Sequence, residues 1–133
     1  YIHTHVQSRS YVEPVVRSLV GQNSQRFYWL VVDDGSTDET EALIKRFSLA
    51  SPFRVVYVKQ ENGGKQRAYN TGVEHCESEL FFAWISDDVL VPSAVETILN
   101  AWEAYRADAS VAGLVGLCGR DEKHAAGNGY AAK

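Results

Sequence analysis

The chain reads as an α/β domain built on a largely parallel sheet, and two observations predict that class. Short runs of β-branched and aromatic residues alternate with longer stretches of helical period, the pattern of strands joined by helical crossovers. Two of those runs end in paired carboxylates, Asp33-Asp34 and Asp87-Asp88, and open α/β sheets gather their ligands beyond the carboxyl ends of strands. The expected architecture is three-layer α/β/α with a mostly parallel central sheet. A chain of 133 residues, 45% hydrophobic and 23% charged, is the size of one globular domain with a sizeable core, so residues 1–133 are read as a single domain.

Each element follows from its pattern. Residues 1–5 hold the weak remains of a strand. A first helix begins near Ser10, where Ser10 and Glu13 have capping-box spacing, continues through Val12, Val15, Val16, Leu19 and Val20, and stops at Gly21. Pro14 is tolerated because it falls in the first turn. Residues 27–32, Phe-Tyr-Trp-Leu-Val-Val, form a strand with little polar interruption, as in a sheet covered on both faces. Ser36 and Glu39 offer a second capping box, and Ala42, Leu43, Ile44, Phe47 and Leu49 give the next helix its apolar side. Residues 53–58 make another strand, and 60–65 a polar loop. A third helix carries Ala68, Tyr69, Val73 and Cys76, weakened in its middle by Gly72. Residues 80–85 are a strand, and Pro92 opens a helix with Val95, Ile98, Leu99, Trp102 and Tyr105 inward. A last strand is expected at 111–117. Trp29, Trp84 and Trp102 are read as core, because an aromatic ring buries so much area.

The charge balance excludes some partners. A formal net charge of -4 lacks the basic face of a nucleic-acid binder. Cys76 and Cys118 form no CxxC pair, so they suggest reduced, buried thiols rather than a zinc or redox site. No apolar run approaches the ~20 residues of a membrane helix, and Tyr-Ile-His-Thr-His does not resemble a signal peptide, so a soluble, cytoplasm-facing segment without membrane insertion is expected. The missing initiating Met and the Gly127-Asn128-Gly129 tail suggest a piece of a longer protein. His3 and His5 alternate on a possible strand, which alone is a weak metal signal, and His75 and His124 have no supporting neighbours.

Four acidic groups gathered in one crevice would repel one another, so they need a cation or hydrogen-bond donors. Mg2+ or Mn2+ would serve, since both prefer oxygen ligands and bind through one or two carboxylates plus substrate phosphates. Each Asp pair could instead cap a turn. Two such pairs in one short chain, with Gly35-Ser36-Thr37 shaping a tight turn after the first, favour a ligand site. Asn62-Gly63-Gly64-Lys65-Gln66-Arg67 joins two glycines to a helix start with two cations, a candidate diphosphate cradle; in isolation it would pass for a flexible turn.

Val31-Val32-Asp33-Asp34-Gly35-Ser36-Thr37-Asp38, Gln60-Glu61-Asn62-Gly63-Gly64-Lys65 and Ser86-Asp87-Asp88, in this order and spacing, resemble the inverting family-2 glycosyltransferases of GT-A fold, over most of the chain. The resemblance implies a Rossmann-like nucleotide-diphospho-sugar transferase fold, here truncated at the C-terminus. It implies inverting transfer of a sugar from a nucleoside diphosphate donor, most often a uridine one, to the hydroxyl of a carbohydrate or lipid-linked acceptor. It places Asp34 on the base and Asp87-Asp88 on the ribose and the metal, Mn2+ or Mg2+. The expected nucleotide set is Thr4, Asp33, Asp34, Gly35, Gly64, Lys65, Arg67 and Asp87, and the expected metal ligands are Asp87 and Asp88. Three departures stand beside the match. Ile85 occupies the place of a usual first aspartate, Thr4-His5-Val6-Gln7 replaces a turn with an aromatic residue, and the half expected to carry the catalytic base lies outside this chain. A non-catalytic nucleotide- or sugar-binding module is the alternative. A dinucleotide-binding oxidoreductase is disfavoured because no GxGxxG follows a strand.

Overall fold

The computed structural model describes residues 2–6, 10, 12–85, 88–114, 119–121 and 124–125. The chain divides into two compact units, Tyr1–Val95 and Glu96–Lys133. The first holds β1 (Ile2–Val6), α1 (Val12–Val20), β2 (Trp29–Asp34), α2 (Thr40–Ser48), β3 (Val55–Gln60), α3 (Lys65–Glu74) and β4 (Phe82–Ile85). Helix α4 (Ala94–Tyr105) begins at its end and continues into the second unit, which also holds β5 (Gly119–Asp121) paired antiparallel with β6 (His124–Ala125).

Strands β1 to β4 form one sheet in the order β3-β2-β1-β4, with every pair parallel. The weakly marked strand at the start is therefore an inner one. Its sequence, Ile-His-Thr-His-Val, hides that position because inner parallel strands usually read as unbroken apolar runs. Strand β2 does read that way: all six of its residues are buried. Leu30 and Val32 face one side, where Ala68 of α3 joins them in a cluster flanked by Val56, Val58, Phe81 and Cys76. Trp29 faces the other side and meets Phe47 of α2 edge-on, with ring centroids 6.0 Å apart. Helices thus cover both faces, and right-handed crossovers place α1 with α2. Burying each large apolar side chain of β2 contributes roughly 1.5–3 kcal/mol.

Several boundaries depart from the sequence reading, each for a physical reason. Strand β2 starts at Trp29 and takes both aspartates into the strand instead of ending before them. The capping box at Ser36 and Glu39 does not form. Helix α2 starts at Thr40, its N-cap Glu39 makes no side-chain cap bond, and the Thr40 amide donates to Asp38 Oδ1 at 3.0 Å. Ser36 is engaged elsewhere, by Asp33. On α3 the buried stripe is Ala68 and Gly72, one turn apart, while Tyr69 and Val73 are largely exposed. On α4, Val95 is buried and Ile98, Leu99 and Trp102 are half-buried, but Tyr105 is exposed. Of the strand expected at 111–117, residues 111–114 are irregular and the rest lies outside the described residues. Trp29 is fully buried as expected, the Trp84 side chain and Cys118 lie outside the described residues, and Cys76 is half-buried, donating to the Ser78 carbonyl at 3.3 Å.

Candidate functional site

Strand order reverses between β1 and β4, since β2 and β3 extend the sheet on one side of β1 and β4 on the other. Such a switch point opens a crevice at the carboxyl edge. Register brings the strand ends level there: Asp34 pairs with Gln60, Val6 with Asp33, and His5 with Ile85. The ends of β2 and β4 lie two strand spacings apart, roughly 9–10 Å. Asp88 follows β4 by three residues and is exposed; Asp87 lies outside the described residues. Thr4 sits inside β1, opposite Val31 and Trp84, in the strand that was weakly marked over residues 1–5 and runs on to Val6.

Because Asp33 and Asp34 both belong to a strand, their side chains point to opposite faces of the sheet. Both residues are 0% exposed. On the α2 face, Asp33 Oδ1 accepts the Ser36 amide at 2.7 Å, and its Oδ2 accepts the Ser36 and Tyr57 hydroxyls. Tyr57 pairs with Val31, from which a long side chain reaches the diagonal neighbour Asp33. Burial first, and then the bond to Asp33, push the Tyr57 hydroxyl well above the usual phenol range. On the α3 face, Asp34 Oδ1 accepts from Gln60 Nε2 at 2.7 Å and from the Gly63 amide at 2.9 Å, while Oδ2 accepts from the Gly64 amide at 2.8 Å. The expected cluster of four carboxylates in one pocket is therefore corrected for its first pair. Strand alternation separates Asp33 from Asp34, and donors of the chain itself meet their charge.

Asp34 clamps the loop after β3 onto the end of β2, and glycines make the clamp fit. Gly35 has φ +82°, and a Cβ there would lie 2.9 Å from the Asn62 backbone nitrogen. The loop could not approach so closely over any other residue. Gly64, with φ 84° and ψ 166°, adopts a backbone almost exclusive to glycine and occupies the N-cap of α3 beside open space. Lys65 and Arg67 lie in the exposed first turn that follows, and neither forms an ion pair among the described residues. That turn has no acidic residue and starts at the carboxyl edge of the sheet, and the Arg67 side chain lies back over Gly63.

A second clamp holds the segment after β4. Buried Gln22, just past α1, donates through Nε2 to the Ser18 and Val91 carbonyls, each at 2.9 Å, and accepts the Val95 amide at 3.0 Å. An open groove of about 500 Å³ runs between α1 and this segment, lined by Glu13, Arg17, Val89 and Leu90 among others. None of the nucleotide or metal residues predicted from sequence lines it.

Sequence reasoning missed Tyr57, Thr71 and Gln22, and placed Gln60 in the polar loop without its contact to Asp34. Gln60 had a usable signal, since it ends its strand opposite Asp34 on the same face. Among the described residues no group of three or more His, Cys, Asp or Glu side chains gathers. No described helix is long and apolar enough to cross a membrane.

Comparison with known proteins agrees with this geometry. Residues 2–123 match the family described as Glycosyl transferase family 2. Glycosyltransferase GlyA of Streptococcus pneumoniae is 32% identical over 102 residues, covering 77% of this chain and 14% of that protein. The chain thus spans a small part of this longer relative. Among solved structures, S. aureus TarS 1-349 in complex with UDP-GlcNAc superposes with TM-score 0.70 at 22% identity, covering 79% of this chain and 31% of TarS 1-349. Mannosyltransferase PcManGT of Pyrobaculum calidifontis, in complex with GDP-Man and Mn2+, gives TM-score 0.69 at 23% identity, covering 83% of this chain and 32% of that protein. The fold is that of the GT-A glycosyltransferases. With its parallel sheet, a strand order that reverses at β1 and a family match over nearly its whole length, the chain belongs to glycosyl transferase family 2.

Proposed function

We propose that the chain is the donor-binding part of a glycosyltransferase, seating a nucleoside diphosphate sugar, with uridine as the base, over the carboxyl edge of the sheet. One observation carries the proposal: the first turn of α3, with Lys65 and Arg67, is pinned beside the end of β2 by Asp34 and opens at the same sheet edge as the end of β4. The nucleotide complexes of TarS and PcManGT support the same ligand class.

In this reading the residues divide the work. Breaking the anomeric bond leaves negative charge on the departing diphosphate, and the α3 amides with Lys65 and Arg67 take up that charge. Asp34 and Gly35 shape the seat from within, Thr4 supports it from the central strand, and Asp33, expected in the same set, instead holds the Ser36 turn on the opposite face. Asp87 meets the nucleotide. Asp87 and Asp88 are adjacent hard oxygen donors of the kind that hold Mg2+ or Mn2+ with help from substrate phosphates, so the donor set fits such an ion. When bound, the ion supplies Lewis-acid stabilisation of the leaving group worth several kcal/mol. Inverting attack by a carbohydrate or lipid-linked acceptor hydroxyl needs a base on the far side of the sugar, which we assign to the remainder of a longer protein.

A thermal-shift screen of UDP, GDP and NAD, each with and without Mn2+ or Mg2+, tests the proposal. A nucleoside diphosphate with metal at ~100 times its Kd should add about 2.7 kcal/mol, a melting shift of several degrees. Equal binding without metal would favour a non-catalytic module, and stabilisation by NAD alone would overturn the reading.

A further inference from the structure

We infer that Gln60 and Thr71 are positioning residues for the donor nucleotide, acting through Asp34 to fix the place of α3; this rests on the donor-site reading above. Thr71, in the second turn of α3, donates its hydroxyl to Gln60 Oε1 at 2.6 Å. That bond sets the orientation of the Gln60 amide, so that Nε2 faces Asp34 Oδ1 at 2.7 Å. The other oxygen of the same carboxylate holds the Gly64 amide at the N-cap of α3. Helix α3 is thereby tied to the end of β2 at two points, its cap and its second turn, and both ties converge on one buried side chain. One tie alone would let the helix pivot about its cap. Two ties fix its tilt and its advance along the sheet edge, and with them the first-turn amides and the roots of Lys65 and Arg67. A seat for a charged ligand must be held to within about 0.5 Å to be effective, which a single hydrogen bond between mobile partners does not provide.

The chemistry of the relay is specific. Gln60 accepts from Thr71 through Oε1 and donates to Asp34 through Nε2, a pair of roles that a carboxylate in its place cannot fill. Glutamate there would set a second carboxylate against Asp34 across the same short gap. Valine at position 71 keeps the shape and removes the hydroxyl, whereas serine keeps the hydroxyl.

The test is titration calorimetry of UDP with Mg2+ into the wild-type chain, Thr71→Val, Thr71→Ser, Gln60→Glu and Tyr57→Phe, at a temperature where each is folded by circular dichroism. Thr71→Val should weaken UDP binding about fivefold to tenfold, Gln60→Glu more, and Thr71→Ser should stay within about twofold of wild type, since a hydrogen bond to an amide accounts for roughly that range. Tyr57→Phe removes a comparable bond from Asp33 on the opposite face; it should lower stability yet leave affinity unchanged. Wild-type affinity in Thr71→Val or Gln60→Glu would overturn this inference and leave the donor-site reading standing. A loss of affinity in Tyr57→Phe equal to that in Thr71→Val would also overturn it, by showing that any buried loss acts alike. Absence of UDP binding by the wild-type chain would overturn both.

Discussion

Gly35→Ala separates the two reasons a glycine stands after the aspartate pair. At φ +82° an L-residue pays a backbone cost of about 1–2 kcal/mol. Its new Cβ would also lie 2.9 Å from the Asn62 nitrogen, 3.1 Å from the Asn62 Cβ and 3.3 Å from its Cα, so the backbone of the loop has to retreat. Such overpacking costs about 1–3 kcal/mol more, for a sum of roughly 2–5 kcal/mol. That is a large share of the 5–15 kcal/mol that typically holds a domain together. Urea unfolding followed by tryptophan fluorescence reads the loss directly. Gly35→Asn is the informative partner, since Asn tolerates positive φ but brings the same Cβ. If the loop contact matters, Asn stays destabilised by about 1–3 kcal/mol. Recovery of full stability in Gly35→Asn, or a loss below about 0.5 kcal/mol in Gly35→Ala, would refute the close-approach argument.

Other expectations follow from the same geometry. Gln22→Ala leaves the buried Val95 amide and Val91 carbonyl without their partner and should cost about 1–3 kcal/mol of stability in the same unfolding assay. Tyr57 has its folded pKa raised, so the stability it lends is fully present below the ordinary phenol value near 10 and is lost as pH rises above it. Wild-type stability should therefore fall more steeply than that of Tyr57→Phe as pH rises above about 10, as measured by urea midpoints. Asp88→Ala should abolish the Mn2+-dependent part of UDP binding in calorimetry while leaving the urea midpoint unchanged, because Asp88 is exposed. Leu30→Ala, in the fully buried centre of β2, should cost about 2–5 kcal/mol.

The sequence made the parallel sheet legible because β2 carries an unbroken apolar run and the helices show clear faces. It hid the inner position of β1, whose His and Thr residues imitate an exposed strand. It also hid how the aspartates are used. Read as adjacent letters, Asp33 and Asp34 look like one acidic pair; as strand residues they face opposite layers and meet different partners. The shift of β2 by two residues produced that difference, and local patterns leave strand boundaries poorly determined. Ser36 illustrates the same limit: its spacing to Glu39 suggests a cap, but a buried carboxylate three residues back is the stronger acceptor. Thr71 carries no motif, Gln60 reads only as the start of the polar loop motif at 60–65, and the pairing of β2 with β3 is what brings the two to Asp34.

The most direct test is amide chemical-shift mapping of the 15N-labelled chain during titration with UDP and Mg2+. The largest changes should fall at residues 34–36, 63–67 and 88, where the strand ends and the first turn of α3 meet. Saturable binding with its largest changes on the outer side of α3, around Tyr69 and Val73, would contradict a donor seat at the carboxyl edge of the sheet.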